Sequence, residues 1–266
     1  MNSLLNSAMV IKNLCPDGVT PIWNKNQMES FLVEECLPAW VRTSYSTFVE
    51  TISDPTFPCF WGTIGEQKGM IRYLIASSLT EPSVVEHTLE GVYNYIDEVN
   101  ENELLQHEDA DLLTLVIFFP PEPKVLTVEE YARQAFDFLN ALHSLDAVSC
   151  PCHWSADPQS PEWSYSLGGC ALFVSVSTPA NQKRRSRHLG SGMTFVITPV
   201  EVLLRKHGGE NSSIFRRVRE YDGIPPHPNL LLMPGSSKVG NELTVQVLPD
   251  DNDSDISFDF QYKFKD

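Results

Sequence analysis

Apolar residues recur along this chain with two different periods, and the switches between them divide it into elements. From Gln27 to Val49 the spacing of Phe31, Leu32, Cys36, Trp40, Tyr45 and Phe48 is loosely helical, interrupted at Pro38 and closed by the turn signal Asp54-Pro55. A loop with Phe57-Pro58-Cys59-Phe60-Trp61-Gly62 follows, and Gly69 to Leu79 fits either a helix or a strand. Ser83 to Val99 places Val84, Leu89, Val92, Tyr95 and Ile96 on one helical face. The acidic residues after Asn100 read as a solvated linker. It ends in Leu112-Leu113-Thr114-Leu115-Val116-Ile117-Phe118-Phe119, a continuous apolar run of the kind found in strands covered on both faces. Thr127 and Glu130 then form a capping-box pattern ahead of a helix with Tyr131, Ala135, Phe138, Leu139 and Leu142 at helical spacing and His143 near its end.

The second half is shorter-stepped. Ser164 to Ser177 alternates around Gly168-Gly169, predicting two short strands or one bulged strand. Met193 to Thr198 predicts another strand, Pro199 to Lys206 a helix stopped at Gly208-Gly209, Ser213 to Tyr221 a short basic helix, and Glu242 to Leu248 a last strand. Strands interleaved with helices, without a regular βαβ repeat, predict an α+β fold: a mixed sheet with surrounding helices in a single domain. The expected organisation is an N-terminal helical extension over residues 1–49, a main domain over 50–252 and an acidic tail over 253–266.

Composition narrows the function classes. Hydrophobic residues make up 42% and charged residues 20%, enough for a packed core able to enclose a ligand. A net charge of -16 argues against nucleic acid or an anionic membrane as partner. Absence of a long apolar run and of a signal-peptide pattern predicts a cytoplasmic protein. Six scattered cysteines do not make a disulfide scaffold. Cys150-Pro151-Cys152-His153 lacks the second ligand pair that a zinc site needs. Hydrolase readings fail because there is no G-x-S-x-G, H-E-x-x-H or Walker loop.

A series of short motifs runs through the second half: Asp157-Pro158, Glu162-Trp163-Ser164-Tyr165-Ser166, Gly169, Phe173-Val174, Thr178-Pro179-Ala180 and Arg184-Arg185-Ser186-Arg187. Phe215-Arg216 with Arg219, Tyr221-Asp222, His227-Pro228, Gly240-Asn241-Glu242, Gln246 and Leu248-Pro249-Asp250-Asp251 continue it, while Phe57-Pro58-Cys59 and Leu142 to Asp146 precede it. In this order the motifs resemble the YqcI/YcgG family across roughly residues 50 to 252. The sequence departs from the family pattern at Val247, where an aromatic residue is usual, and at Cys150 to Trp154, where a simpler Trp-Pro stretch is typical. The resemblance implies haem b and N-hydroxylation of a guanidine, either arginine or a small cyclic guanidine in a natural-product pathway. It thereby implies a small guanidine-bearing substrate, dioxygen or peroxide, and reducing equivalents. With no G-x-G-x-x-G strand-turn-helix in the chain, those equivalents would come from an external donor.

Haem iron takes thiolate or imidazole as axial donor. Cys59, in a loop flanked by proline and aromatic residues with Trp61 placed to pack on the macrocycle, is one candidate; it reads equally as a small buried apolar side chain. His143, beside Asp146, is the other, although a helix C-terminus favours a histidine on its own account. His153 and His227 are weaker alternatives. Arg184, Arg185 and Arg187 form a basic patch suited to haem propionates or a substrate carboxylate. Arg216 and Arg219 share a helical face, with Arg217 pointing elsewhere. A guanidinium substrate calls for a carboxylate and flat aromatic walls, making Asp157, Glu162, Trp163 and Asp222 the substrate-binding candidates. A haem-binding sensor or carrier without turnover, and a haem-free interaction protein, are the competing readings.

Overall fold

The apolar run after Leu112 becomes the second strand of a five-stranded sheet, with side chains alternating between two separate cores. The computed structural model describes residues 18–34, 37–149, 154–155, 157–158, 160, 162–207, 212–228, 243–254 and 256. The strands are β1 (Ile71–Ile75), β2 (Thr114–Phe118), β3 (Ser166–Leu167), β4 (Cys170–Ser177) and β5 (Thr194–Pro199), in the order β1-β2-β5-β4-β3. Among these five strands only the β1–β2 pairing is parallel. Gly69 to Leu79, compatible with either element, therefore contains strand β1. The fold is α+β around a mixed sheet, as the pattern predicts.

The helices are α1 (Lys25–Val33), α2 (Ala39–Ser53), α3 (Phe60–Gln67), α4 (Pro82–Leu104), α5 (Val128–Leu145), α6 (Val200–His207), α7 (Ser212–Asp222) and α8 (Leu243–Gln246). On one face of the sheet, α4 and α5 cover Leu74, Leu115, Ile117, Phe195, Ile197 and Val174. Alternate residues of the same strands, Ile71, Tyr73, Ile75, Val116 and Phe118, turn to the other face and pack with Trp40, Val41, Tyr45, Phe48 and Ile52 of α2. The capping box at the start of α5 is present: Thr127 Oγ1 accepts from the Glu130 amide at 3.2 Å, and Glu130 Oε2 from the Thr127 amide at 2.8 Å.

The outer edge of β1 is covered by an antiparallel bridge in which Trp23 and Tyr73 exchange both backbone hydrogen bonds at 2.8 Å, which removes an open sheet edge. Below this bridge Glu66, only 1% exposed, accepts from the Tyr73 hydroxyl at 2.5 Å and pairs with Lys25 Nζ at 2.8 Å. The buried carboxylate thus joins α1, α3 and β1.

Three elements differ from the pattern-based expectation. The acidic segment after Asn100 starts as helix, because α4 runs on to Leu104; Glu101 and Glu103 are good helix formers that need no apolar face to extend an existing helix. Arg205 then joins this end to the next segment through Glu103 at 2.5 Å and Asp111 at 2.8 Å. The loop expected at Phe57 to Gly62 becomes helical at Phe60. Finally, the strand expected at Glu242 to Leu248 contains the short helix α8. The helix stop expected at Gly208-Gly209 lies outside the described residues.

Candidate functional site

On the α2 face the sheet is incompletely covered toward one end, where β1 and β2 begin and β5 finishes. Ile71 and Thr114 stand opposite one another on β1 and β2, and Phe173 and Thr198 on β4 and β5. With Val196 and Ser175 they form the floor of a chamber with about 240 Å³ open to the centre of a water molecule. Phe48 and Ile52 of α2, Phe57, Pro58 and Cys59 from the segment before α3, Leu189, and Val218 of α7 supply further walls. The lining is mainly apolar, the composition expected of a small-molecule site carrying only a few polar groups.

The polar groups are Arg184, Arg187, Ser186 and Asp222, drawn together by the short 3-10 turn Arg185–Arg187 and the last residue of α7. Both terminal nitrogens of Arg187 are held by acceptors. Its Nη1 donates to Ser175 Oγ at 2.6 Å and to the Gln246 carbonyl at 3.2 Å, and its Nη2 donates to the Val245 carbonyl at 3.1 Å. This guanidinium caps the carbonyl end of α8, which explains why that segment is helical rather than extended. Burial pulls the Arg187 pKa down to about 10, assisted by the neighbouring Arg184 charge and opposed by Asp222; at neutral pH it remains a cation.

Arg184 is 1% exposed. Its Nε donates to the Pro249 carbonyl at 2.7 Å, and its Nη2 to the Asp251 carbonyl at 2.8 Å and to Asn252 Oδ1. Its Nη1 is buried without a hydrogen-bond partner among the described residues. Burial lowers the Arg184 pKa, against the carboxylates of Asp222, Asp250 and Asp251, which raise it. Asp222 is 8% exposed and accepts from the Ser186 amide and hydroxyl, both at 2.8 Å. Burial pushes its carboxyl above the usual range, while these two bonds and the guanidinium groups of Arg184 and Arg187 act the other way.

Cys59 immediately precedes the first turn of α3 and is exposed. Its segment is fixed by Arg217, whose Nη2 donates to the Phe57 carbonyl at 2.6 Å and whose Nε donates to the Pro58 carbonyl at 3.2 Å. By contrast, burial pushes the Cys170 thiol up to about 12, with Glu201 and Glu103 adding to the effect. Alkylation with iodoacetamide at about pH 8 is therefore expected to modify Cys59 well before Cys170, because the thiolate is the reacting species and access is also needed. Peptide mass spectrometry over a time course checks this; equal rates at the two positions would contradict the described burial.

The chamber thus unites Cys59, Arg184, Arg187 and Asp222 from the sequence-based candidates. The other candidates are placed elsewhere. Trp61 turns to a separate depression with Ile64, Lys68, Asp109 and Arg205. The Arg185 guanidinium lies 4.6 Å over the Tyr221 ring and donates to the Tyr221 carbonyl. His143 is buried on α5, near Tyr165 and on the opposite side of the sheet. His227 is buried with Nε2 3.2 Å from the Ser254 carbonyl, outside the chamber lining. Trp163 belongs to the core beneath α4 and α5, and Asp157 and Glu162 are exposed ahead of β3. Arg216 and Arg219 are exposed. Cys150, Cys152 and His153 lie outside the described residues.

Sequence reasoning missed Ser186, which fixes Asp222, and Arg217, which fixes the Cys59 segment. The signal for Ser186 was its position inside the arginine motif; nothing in the sequence singled out Arg217 as the docking residue. Among the described residues no group of three or more His, Cys, Asp or Glu could hold a metal ion. That observation concerns multidentate ions, since haem iron needs only one or two protein donors. No helix among the described residues is long and apolar enough to cross a membrane.

Comparison with known proteins agrees with the motif order. The chain is 29% identical over 199 residues to "Putative N(omega)-hydroxy-L-arginine synthase DcsA" of Streptomyces lavendulae, covering 71% of this chain and 72% of that protein. It is 28% identical over 225 residues to the uncharacterised protein YcgG, and 25% identical over 222 residues to the uncharacterised YqcI, both of Bacillus subtilis (strain 168). Each of these two matches covers 80% of this chain and 84% of the relative. No solved structure matches the chain. The YqcI/YcgG family pattern spans residues 48–237, taking in Phe48, Cys59, Arg184, Arg187 and Asp222, and the chain is a member of the YqcI/YcgG family.

Proposed function

We propose that this protein is a haem-dependent N-oxygenase that hydroxylates a guanidine nitrogen of arginine or of a small guanidine metabolite, linear or cyclic, in a natural-product pathway. The observation that carries the reading is the convergence of one exposed thiol, apolar walls, buried guanidinium groups and one buried carboxylate on a single chamber. The printed name of the Streptomyces relative supplies the guanidine, since N(omega)-hydroxy-L-arginine is arginine oxygenated on that group.

The residues present fit haem b. Cys59 Sγ is a donor of the type that haem oxygenases use, and aromatic and aliphatic walls suit the faces of a porphyrin. The bound group would supply activation of dioxygen or peroxide, with reducing equivalents from an external donor. The chain's own contribution is positioning. Asp222, held by Ser186, has further lone pairs for a guanidinium N–H, and Phe48, Ile52, Phe57 and Leu189 exclude water around the reacting nitrogen. Because Asp222 must be ionised to hold the cation and burial raises its pKa, substrate affinity is expected to weaken on acidification sooner than for an exposed aspartate.

The test is the absorption spectrum of haem-reconstituted protein, reduced under carbon monoxide, for the wild type, Cys59→Ser and His143→Ala. A red-shifted carbonyl band lost in Cys59→Ser alone supports a thiolate site in the chamber. A band lost only in His143→Ala moves the iron away from it, and failure to retain haem overturns the reading. A haem sensor or carrier would bind the group yet yield no oxygenated guanidine by mass spectrometry when supplied with arginine, oxygen and a reductant.

A further inference from the structure

The Arg184 side chain is built as a receptor. Three acceptors from the segment Pro249 to Asn252 fix its Nε and Nη2, and the Asp250 carboxylate accepts from the Lys183 and Arg184 backbone amides rather than from the guanidinium. The result is a planar cation of a chamber-lining residue, locked in position, with Nη1 buried and without a hydrogen-bond partner among the described residues. A buried donor left unmade costs free energy, most of all when it belongs to a charged group. Arg187 is less suited to the role, because both of its terminal nitrogens already donate, to Ser175, Gln246 and Val245. Among the described residues no carboxylate forms an ion pair with Arg184.

We propose that Arg184 Nη1 is a carboxylate-binding subsite of the chamber. Within the lining itself two guanidinium groups face the one carboxylate of Asp222, with Asp250 and Asp251 acting on Arg184 from outside it. One unpartnered nitrogen in a mainly apolar surround suits a planar monoanion better than a phosphate, whose dianion needs several donors. The same balance makes the empty chamber a poor host for a cation: a guanidine binds well only after a carboxylate has neutralised Arg184. That carboxylate belongs either to a porphyrin propionate or to the α-carboxylate of an amino acid. The inference rests on the chamber being the reactive site proposed above, and its test uses no iron.

In the first arm, protoporphyrin IX and its dimethyl ester are titrated into the metal-free protein and followed by absorbance. In the second, L-arginine and agmatine, which lacks the carboxylate, are titrated by calorimetry into protein already loaded with protoporphyrin IX. A preference of about tenfold or more for the free acid over the ester, the lower range for a hydrogen bond to a charged group, assigns the subsite to the porphyrin. The same preference for arginine over agmatine assigns it to the substrate. Equal affinities within both pairs overturn the proposal. Arg184→Gln should abolish whichever preference is found by weakening the acid or arginine toward its partner compound, with agmatine bound no more weakly than before because a repelling charge is gone; a preference that survives in folded Arg184→Gln also overturns it. Because Arg184 anchors the C-terminal segment, Arg184→Lys is the second variant, and the wild-type comparisons decide the matter if neither folds. Retention of the acid preference by a protein that fails the carbon monoxide test would leave this subsite standing while the haem reading falls.

Discussion

Arg187→Met is expected to lower the unfolding free energy by about 3–5 kcal/mol, because it strands two buried carbonyls, each costing about 1–3 kcal/mol when unpaired, and breaks the bond to the half-buried Ser175 hydroxyl as well. Methionine keeps most of the side-chain volume, so the loss reports on hydrogen bonding rather than on a cavity. The stranded groups are Ser175 Oγ on β4 and the Val245 and Gln246 carbonyls at the end of α8. Arg187→Lys keeps the charge but not the fork of donors, and should lose about half as much. Urea denaturation followed by circular dichroism checks both, with the midpoint falling at unchanged slope. A loss of less than about 1 kcal/mol would mean that α8 is not held by this guanidinium.

Gly192→Ala is the second large effect, expected at about 3 kcal/mol, the upper part of the usual range for overpacking. A Cβ there would stand 2.3 Å from the Phe119 carbonyl oxygen and 2.9 Å from main-chain atoms of Pro120 and Pro121. Main chain cannot rotate aside as a side chain can. The clash therefore pushes apart the exit of β2 and the entry of β5, which are joined by the Phe119 amide to the Met193 carbonyl at 3.1 Å. Gly69→Ala is the control: its φ of +69° disfavours a side chain, yet nothing lies within 4 Å of the new atom. It should cost only about 1–2 kcal/mol, and parity of the two variants in thermal unfolding would contradict the steric account.

These two sites show what the amino-acid pattern could and could not convey. Strand β2 and helix α5 were legible because a continuous apolar run and a capping box are local signals that the tertiary structure reinforces. Helix α3 was not, since Pro58, Gly62 and clustered aromatics look like a loop, and α8 was not, since Val245 and Val247 alternate like a strand until a guanidinium some 58 residues away satisfies its carbonyls. For the chamber, Cys59, Arg184, Arg187 and Asp222 were legible as residue types. Trp61 and Arg185 misled by adjacency: on α3 a step of two residues turns Trp61 well away from Cys59, and on the 3-10 turn each neighbour is rotated by about a third of a turn. Trp163 lies in the core beneath α4 and α5 rather than in the chamber, since alternation along an extended segment decides which side of the sheet a residue meets.

The hydrogen bonds from Arg217 to Phe57 and Pro58 close a separation of about 160 residues, and this has a consequence for synthesis. The chamber's first walls, Phe48, Ile52 and Phe57, leave the ribosome long before Val218 and Leu248 exist to cover them. Through most of translation the nascent chain therefore carries an uncovered apolar surface of the kind that chaperones bind and that promotes aggregation. Completion of the chamber is a late, non-local event, and a ligand that spans both walls stabilises the finished protein by mass action. Supplying such a ligand during expression should raise the yield of soluble protein, rather than merely occupying a site that has already formed.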